Sequence, residues 1–215
     1  MKKLLQIAFT FAVTLSIAQG KLTEGVITSK MTMSSANEQL NAQLQMVGDT
    51  QILTYIKGAK MRSETSNPMT GETISITDRD ENKVLTLQNI PMYGKTYSIS
   101  EFVKDNIDTE GIDIKKTENA KEILGYTCDE YDIIMTQDGV DTTVKVFATT
   151  QIEAVSKQTA TFGGKFEGFP MHMVFDVKQQ GMDMVMTYEV TDVSKDTVPE
   201  DKFDMTVPEG YIEKQ

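Results

Sequence analysis

Few side chains in this 215-residue chain could carry out chemistry, and their spacing reduces the number further. There is one histidine, His172, and one cysteine, Cys128. A Ser-His-Asp or Cys-His nucleophilic arrangement would have to use His172, and no Gly-x-Ser-x-Gly turn is present to expose a serine. A zinc site begun by that histidine and cysteine would need carboxylates to complete it. Asp78-Arg79-Asp80-Glu81-Asn82 begins like a calcium loop, but Lys83 stands where the sharp turn needs glycine and Asn89 where a bidentate glutamate belongs. That segment reads as an acidic hairpin tip. Carboxylates such as Asp129, Glu130 and Asp132 neighbour one another as chance dictates in an acidic chain, and no glycine-rich phosphate cradle occurs. The sequence therefore points away from an enzyme and implies no cofactor. Cys128 reads as a small buried hydrophobe.

Methionine is the unusual residue, with 14 in the chain and 13 of them beyond the first twenty residues. Met171, Met173, Phe175 and Val177 share one side of an alternating segment, and Met182, Met184, Met186 and Tyr188 share one side of the next. Thioether side chains are unbranched and polarizable, so such faces can fill a core or hold variable apolar ligands. They can also coordinate cuprous ion. In that last reading Met171-His172-Met173 would supply the donors, although alternation sends His172 to the opposite side unless a bulge intervenes.

Period-two alternation dominates from Gly25 onward, with strands expected near 25–33, 51–57, 60–66, 72–78, 83–88 and 95–99. A second set is expected near 112–118, 127–136, 140–148, 170–179 and 182–193. Lys57-Gly58, Asn67-Pro68, Asp80-Glu81-Asn82, Asn89-Ile90-Pro91, Gln137-Asp138-Gly139 and Gln180-Gly181 punctuate them as turns. No alternation of long helices with strands suggests a parallel crossover, so the sheet should be antiparallel. One helix interrupts the strands. Ser35-Ala36-Asn37-Glu38 reads as its capping box, Leu40, Leu44 and Val47 as its apolar stripe, and Gly48 as its stop. Glu101–Asn106 and Gln151–Gln158 are weaker helical candidates.

Met1-Lys2-Lys3, the uncharged run from Leu4 to Ile17 and the small residues at 16–20 have the pattern of a cleavable secretory signal. Cleavage is placed after Gly20, with Ala18 as the alternative point. The run is too short to span a bilayer comfortably, and no later stretch resembles a membrane helix. Without a cysteine at the new terminus the product should carry no lipid anchor, and it should be periplasmic or secreted. Loss of Lys2 and Lys3 takes the net charge from −11 to −13, which disfavours nucleic acid and anionic membranes as partners. About 195 remaining residues suit one domain with a sizeable core, and a lone cysteine leaves packing to hold it together. Nothing in the sequence bears on oligomeric state.

Tyr55-Ile56-Lys57-Gly58-Ala59-Lys60-Met61-Arg62, Ile123-Leu124-Gly125-Tyr126-Thr127-Cys128-Asp129-Glu130-Tyr131 and Phe203-Asp204-Met205-Thr206-Val207-Pro208-Glu209-Gly210-Tyr211 are carried across most of the chain. Together they resemble exported bacterial domains of unknown function related to the periplasmic lipoprotein carriers. Gly58 and Gly125 look like turn glycines, and 207–211 like the end of the last strand. The resemblance implies a half-open antiparallel barrel with a helical lid over an apolar cavity, and it supplies no catalytic residue.

The expected molecule is thus mainly β (α+β): a signal peptide over 1–20, then one domain over 21–215. In it a curved antiparallel half-barrel carries two or three short helices as a lid on its concave face. The expected function is a non-enzymatic binding or carrier domain for a lipid, another apolar molecule or a lipid-modified partner. Leu40, Leu44, Val47, Met171, Met173, Phe175, Met182, Met184 and Met186 would line the site. The alternatives are a cuprous-ion protein and an interaction domain with no small ligand. N-terminal sequencing of the exported protein should begin at or near Lys21; an intact Met1 terminus recovered in the cytoplasm would contradict the export reading.

Overall fold

A computed structural model describes residues 20–102, 111–137, 140–154, 156, 162, 166–179 and 182–214. The expected signal segment and the Gln180-Gly181 turn lie outside them, as do most of the helical candidate at Glu101–Asn106 and part of the Gln137-Asp138-Gly139 turn. Eleven long strands follow one another: β1 (Glu24–Ser34), β2 (Thr50–Lys57), β3 (Lys60–Asn67), β4 (Gly71–Asp78), β5 (Lys83–Ile90), β6 (Gly94–Glu101), β7 (Ile112–Ile123), β8 (Tyr126–Gln137), β9 (Val140–Thr149), β10 (Phe169–Gln179) and β11 (Met182–Ser194). Each coincides with an expected strand. A short β12 (Ile212–Glu213) ends the series. All twelve form one open curved sheet, half-barrel-like, in the order β12-β6-β5-β4-β3-β2-β1-β11-β10-β9-β8-β7. Every pairing is antiparallel except β12 with β6.

Tight turns set the register. Leu124 (φ 51°) and Gly125 (φ 81°) form the two-residue loop between paired Ile123 and Tyr126, and both central positions have the positive φ that a type I′ turn demands. Gly58 takes φ 58° between paired Lys57 and Lys60. At the acidic tip, Asp78 Oδ1 accepts the amides of Asp80 and Glu81, which closes a local turn.

Alternation gives the sheet two unlike faces. Ile27, Ile52 and Ile56 define an inner face, packed into a large core with Val144, Val146, Phe162, Met171, Met173 and Tyr188. Val26, Tyr55, Ile76, Leu85 and Leu87 lie on the outer face and form a second core. The segment after β11 covers that outer face by running back across it. Val198, Phe203, Met205, Val207 and Tyr211 pack there, and a 3-10 turn at Glu200–Phe203 helps to bury Phe203. Lys57 Nζ donates to Val198 O at 2.8 Å, Arg62 Nη1 to Lys202 O at 3.2 Å, and Glu200 pairs with Lys57 and Lys60. Residues 207–211, expected as strand, are therefore an irregular strap. Their apolar side chains are spent on the second core, and only Ile212–Glu213 reach a free strand edge.

Among the described residues one α-helix is present, α1 (Glu38–Val47), against two or three expected. Its cap is Asn37, two positions later than the expected Ser35: Asn37 Oδ1 accepts the amides of Gln39 and Leu40, while Ser35 Oγ accepts that of Asn37. Asparagine at this position satisfies two otherwise orphaned donors. The described part of 151–158 is not helical, because the N-terminal segment claims its backbone. Leu22 N donates to Gln151 O at 2.7 Å and Glu153 N to Leu22 O at 2.9 Å.

On the outer side of β7–β9, Glu130 accepts from Thr117, Asn119 and Lys145. This ties down the irregular stretch of β7 between Lys116 and Ala120. Hydrogen bonds from Lys145, Asn119 and Thr117 to the ionised carboxylate hold its pKa at about 2 rather than 4.5.

Two outcomes check these assignments. Gly125→Val should lower stability in urea titration by about 1–3 kcal/mol, the cost of a β-branched residue in a left-handed turn. The depressed Glu130 pKa means its stabilisation is complete above pH 4.5 and lost as pH falls toward 2. Glu130→Gln should therefore flatten that limb of the stability–pH curve and leave the slope above pH 5 unchanged.

Candidate ligand-binding face

The inner face carries the candidate residues, and register decides which of them meet. β11 places Met186 opposite Met33 of β1 and opposite Phe175 of β10, and it places Met184 opposite Val177. Met31 stands opposite Tyr188. Met31, Met33, Phe175, Val177, Met184 and Met186 are all half-buried and form one apolar strip across three adjacent strands. Met182 pairs with Gln179 at the end of the same row.

Met171 and Met173 do not belong to this strip. Both are 0% exposed and packed in the core with Phe162, Phe169 and Val146, apart from the half-buried strip. A sequence cannot show this. Alternation puts 171 to 186 on one side of two strands, but only the chain folded over one end of that side buries two of its methionines. Tyr188 closes the buried end. Its hydroxyl meets Ser29 Oγ at 2.9 Å, and burial pushes its pKa up to about 12.

α1 adjoins the open end. Leu40, Leu44 and Val47 are its half-buried residues together with Asn41, and none of its side chains is fully buried. Asn67 shares the inner face with Met61 and Ser63 by alternation along β3, and its Nδ2 reaches Val47 O at 3.2 Å and Gly48 O at 3.3 Å. Its Oδ1 accepts from Met69 N and Thr70 N. One buried amide thus pins the C-terminal end of the helix to the β3–β4 turn. The stripe foreseen from sequence is the face that packs, but it packs only halfway.

This end of the sheet is also apolar at its rim. Met46 of α1, Met69 in the β3–β4 turn and Met92 with Tyr93 in the β5–β6 turn are exposed. At the opposite end the β4–β5 tip is Arg79-Asp80-Glu81-Asn82. The rim residues have no periodic pattern to mark them in the sequence; strand direction alone gathers them. A cleft lined by Ile56, Met61, Thr77, Phe102 and Ala154 lies on the inner face toward the charged end, and its ≈ 10 Å³ leaves room for about one water.

The reactive side chains have structural surroundings. Cys128 is buried, its Sγ within 3.4 Å of Tyr126 O, and burial raises its pKa to about 11. The thiolate is the nucleophilic form, so this thiol is held in its inert state. His172 lies opposite Phe147 and Glu189, whereas Met173 lies opposite Val146 and Tyr188. The register does shift between Pro170 and His172, yet the ring lies tilted at 59° to that of Phe147 with centroids 6.3 Å apart, and Lys121 sits over Phe147. Burial and then the Lys121 charge lower the His172 pKa. Met171 and Met173 pack in the core, while His172 faces Phe147 and Glu189. Among the described residues no group of three His, Cys, Asp or Glu side chains could hold a metal ion. Nor is any described helix long and apolar enough to cross a membrane.

No family model and no curated protein matches the chain. Among solved structures, one described as PNGF-II is similar over 88% of this chain, at 14% identity and a TM-score of 0.49. The match covers only 31% of that protein, so this chain spans about a third of its length. The lipoprotein LppX of Mycobacterium tuberculosis is similar over 81% of this chain and 89% of its own, at 4% identity and a TM-score of 0.36. Neither likeness is near enough to carry an argument about function.

Proposed function

We propose that the protein is a non-enzymatic binding or carrier domain of the bacterial cell envelope, holding a lipid or another apolar group on its inner face. The observation that carries this reading is the half-buried strip of Met31, Met33, Phe175, Val177, Met184 and Met186 beside a helix that buries none of its residues completely. A helix with Leu40, Leu44 and Val47 on one side gains most of its stability by burying them. Leaving them half-exposed next to six other half-exposed apolar side chains gives a surface that an acyl chain would complete. Methionine suits that role, since its flexible thioether adapts to chains of differing shape. The exposed apolar rim at the same end marks where a ligand would pass in and out. Export to the periplasm or beyond rests on the N-terminal sequence pattern.

The folded protein should bind a fluorescent acyl-chain probe with one-to-one stoichiometry. Met184→Asp should weaken that binding at least tenfold, because a carboxylate facing a hydrocarbon chain is desolvated without a partner. Its melting temperature should change far less, since residue 184 is only half-buried. Unfolding of the variant together with no probe binding to the parent would show that the strip is simply core.

A further inference from the structure

We infer that the inner face has a second half, polar but uncharged, that takes a hydroxyl-bearing headgroup, so that the ligand is an amphiphile with a neutral head. This rests on the reading just proposed and specifies its ligand. Across β2 to β6, Thr54, Ser63, Ser75, Thr86 and Ser98 stand directly opposite one another in a single row. The neighbouring row passes through Thr65, Thr73, Gln88 and Thr96. Every ionisable residue of β3–β6 lies on the other side: by the same alternation Lys60, Arg62, Glu64, Glu72, Asp78 and Lys83 take the outer face, as do Lys95 and Glu101. In a chain one-quarter charged, four adjacent strands with no charge on one face mark a surface from which charge is kept out.

Ser75 supplies a second, independent observation. It is 1% exposed, at the middle of the row, and its Oγ is buried with no hydrogen-bond partner. Thr54 and Ser63 beside it are buried too. A buried hydroxyl without a partner is rare, because it has lost water and gained nothing. An alkyl chain laid over Ser75 would leave that deficit in place, whereas a ligand hydroxyl would remove it. The Met31–Met186 strip lies on β1 and β11; Ser75 lies three strands from β1, about 14 Å across the sheet, and its row meets β1 at Ile27, about 13 Å along the strand from Met31, so roughly 20 Å separates head and chain sites. One amphiphile can therefore rest its chain on the methionines and its head on the hydroxyl rows. Lys60 and Arg79 border the cleft beside Met61 and Thr77, but no cation stands on the hydroxyl rows themselves, so an anionic phosphate or carboxylate head over Ser75 would be desolvated unpaired.

Four ligands sharing one lauryl chain test this on the folded, full mature chain, below their micellar concentrations: dodecyl glucoside, monolauroylglycerol, lauric acid and methyl laurate. The two hydroxylated heads should bind about tenfold or more tighter than methyl laurate or laurate, as expected for one or two well-made hydrogen bonds. Whichever of the two binds tighter tells a glycolipid from an acylglycerol. Ser75→Ala should remove most of that advantage while leaving methyl laurate affinity unchanged and the melting temperature of the empty protein unchanged or raised, since the hydroxyl it deletes has no partner. Thr86→Val should weaken binding of the hydroxylated heads in the same direction. Equal affinity for all four ligands, or a preference for laurate, would overturn the neutral-head inference while the apolar strip stands. A Ser75→Ala variant that loses stability would also overturn it, by showing that the hydroxyl serves the fold. Failure of all four to bind would bring down the carrier reading itself.

Discussion

β1 joins two hairpin ladders that are otherwise local. β2 to β6 pair in sequence order on one side of it, and β7 to β11 pair in sequence order on the other. Only the pairing of β1 with β11 makes a single sheet of them, and the Ser29–Tyr188 hydrogen bond in that seam links residues 159 positions apart. Contacts so distant in sequence carry a loop-closure cost that local hairpins do not. The seam meets that cost with deeply buried side chains: Ile27, Ser29 and Tyr188 are each 1% exposed or less. The register shift between Thr28 and Ser29 lets both ladders keep their apolar sides on one core. A slip of one residue there would turn β1 over and put Val26 where Ile27 belongs.

Once the seam is made, the two faces follow different rules. The outer face of β2–β6 is covered by the strap after β11, which brings its own apolar side chains and is fixed by Lys57, Arg62 and Glu200. The Glu200 ion pairs are largely exposed and individually weak. Their use is positional, because they run the strap across the strands so that Phe203 reaches Ile76 and Leu85. The inner face is filled at one end, where Phe162, Met171 and Met173 pack without exposure, and is incompletely covered at the other, where α1 rests. The same residue type therefore does two things. Met171 and Met173 are cement, while Met184 and Met186 remain partly accessible.

That unevenness is the feature with functional weight. A sheet needing only stability would bury its apolar side throughout, as the outer face does with a strap lacking regular structure. Here an amide from Asn67 anchors one end of a short helix while the helix's apolar side stays half-open. On the reading proposed above, a short helix held at one end beside a soft strip would suit reversible occupation, since little has to be broken for it to shift.

The sequence by itself determined the strands, because alternation and turn glycines act over a few residues: all eleven long strands, the φ > 0 turns at Gly58 and Gly125 and the stripe Leu40, Leu44, Val47 were legible. It also determined that Cys128 would be buried and that the acidic tip at Asp78 would be a turn. The capping residue was misplaced by two positions because Ser35 and Asn37 are both competent caps, and Ser35 instead bonds the Asn37 amide. Tertiary structure alone decided which methionines are core and which face outward, since strand-mates with identical alternation differ only in what the chain folds over them. It also decided that 207–211 would cross the sheet as a strap. Val207 and Tyr211 suit a strand or an apolar crossing equally well, and the vacant outer face of β2–β6, built from residues more than a hundred positions earlier, was there to take them.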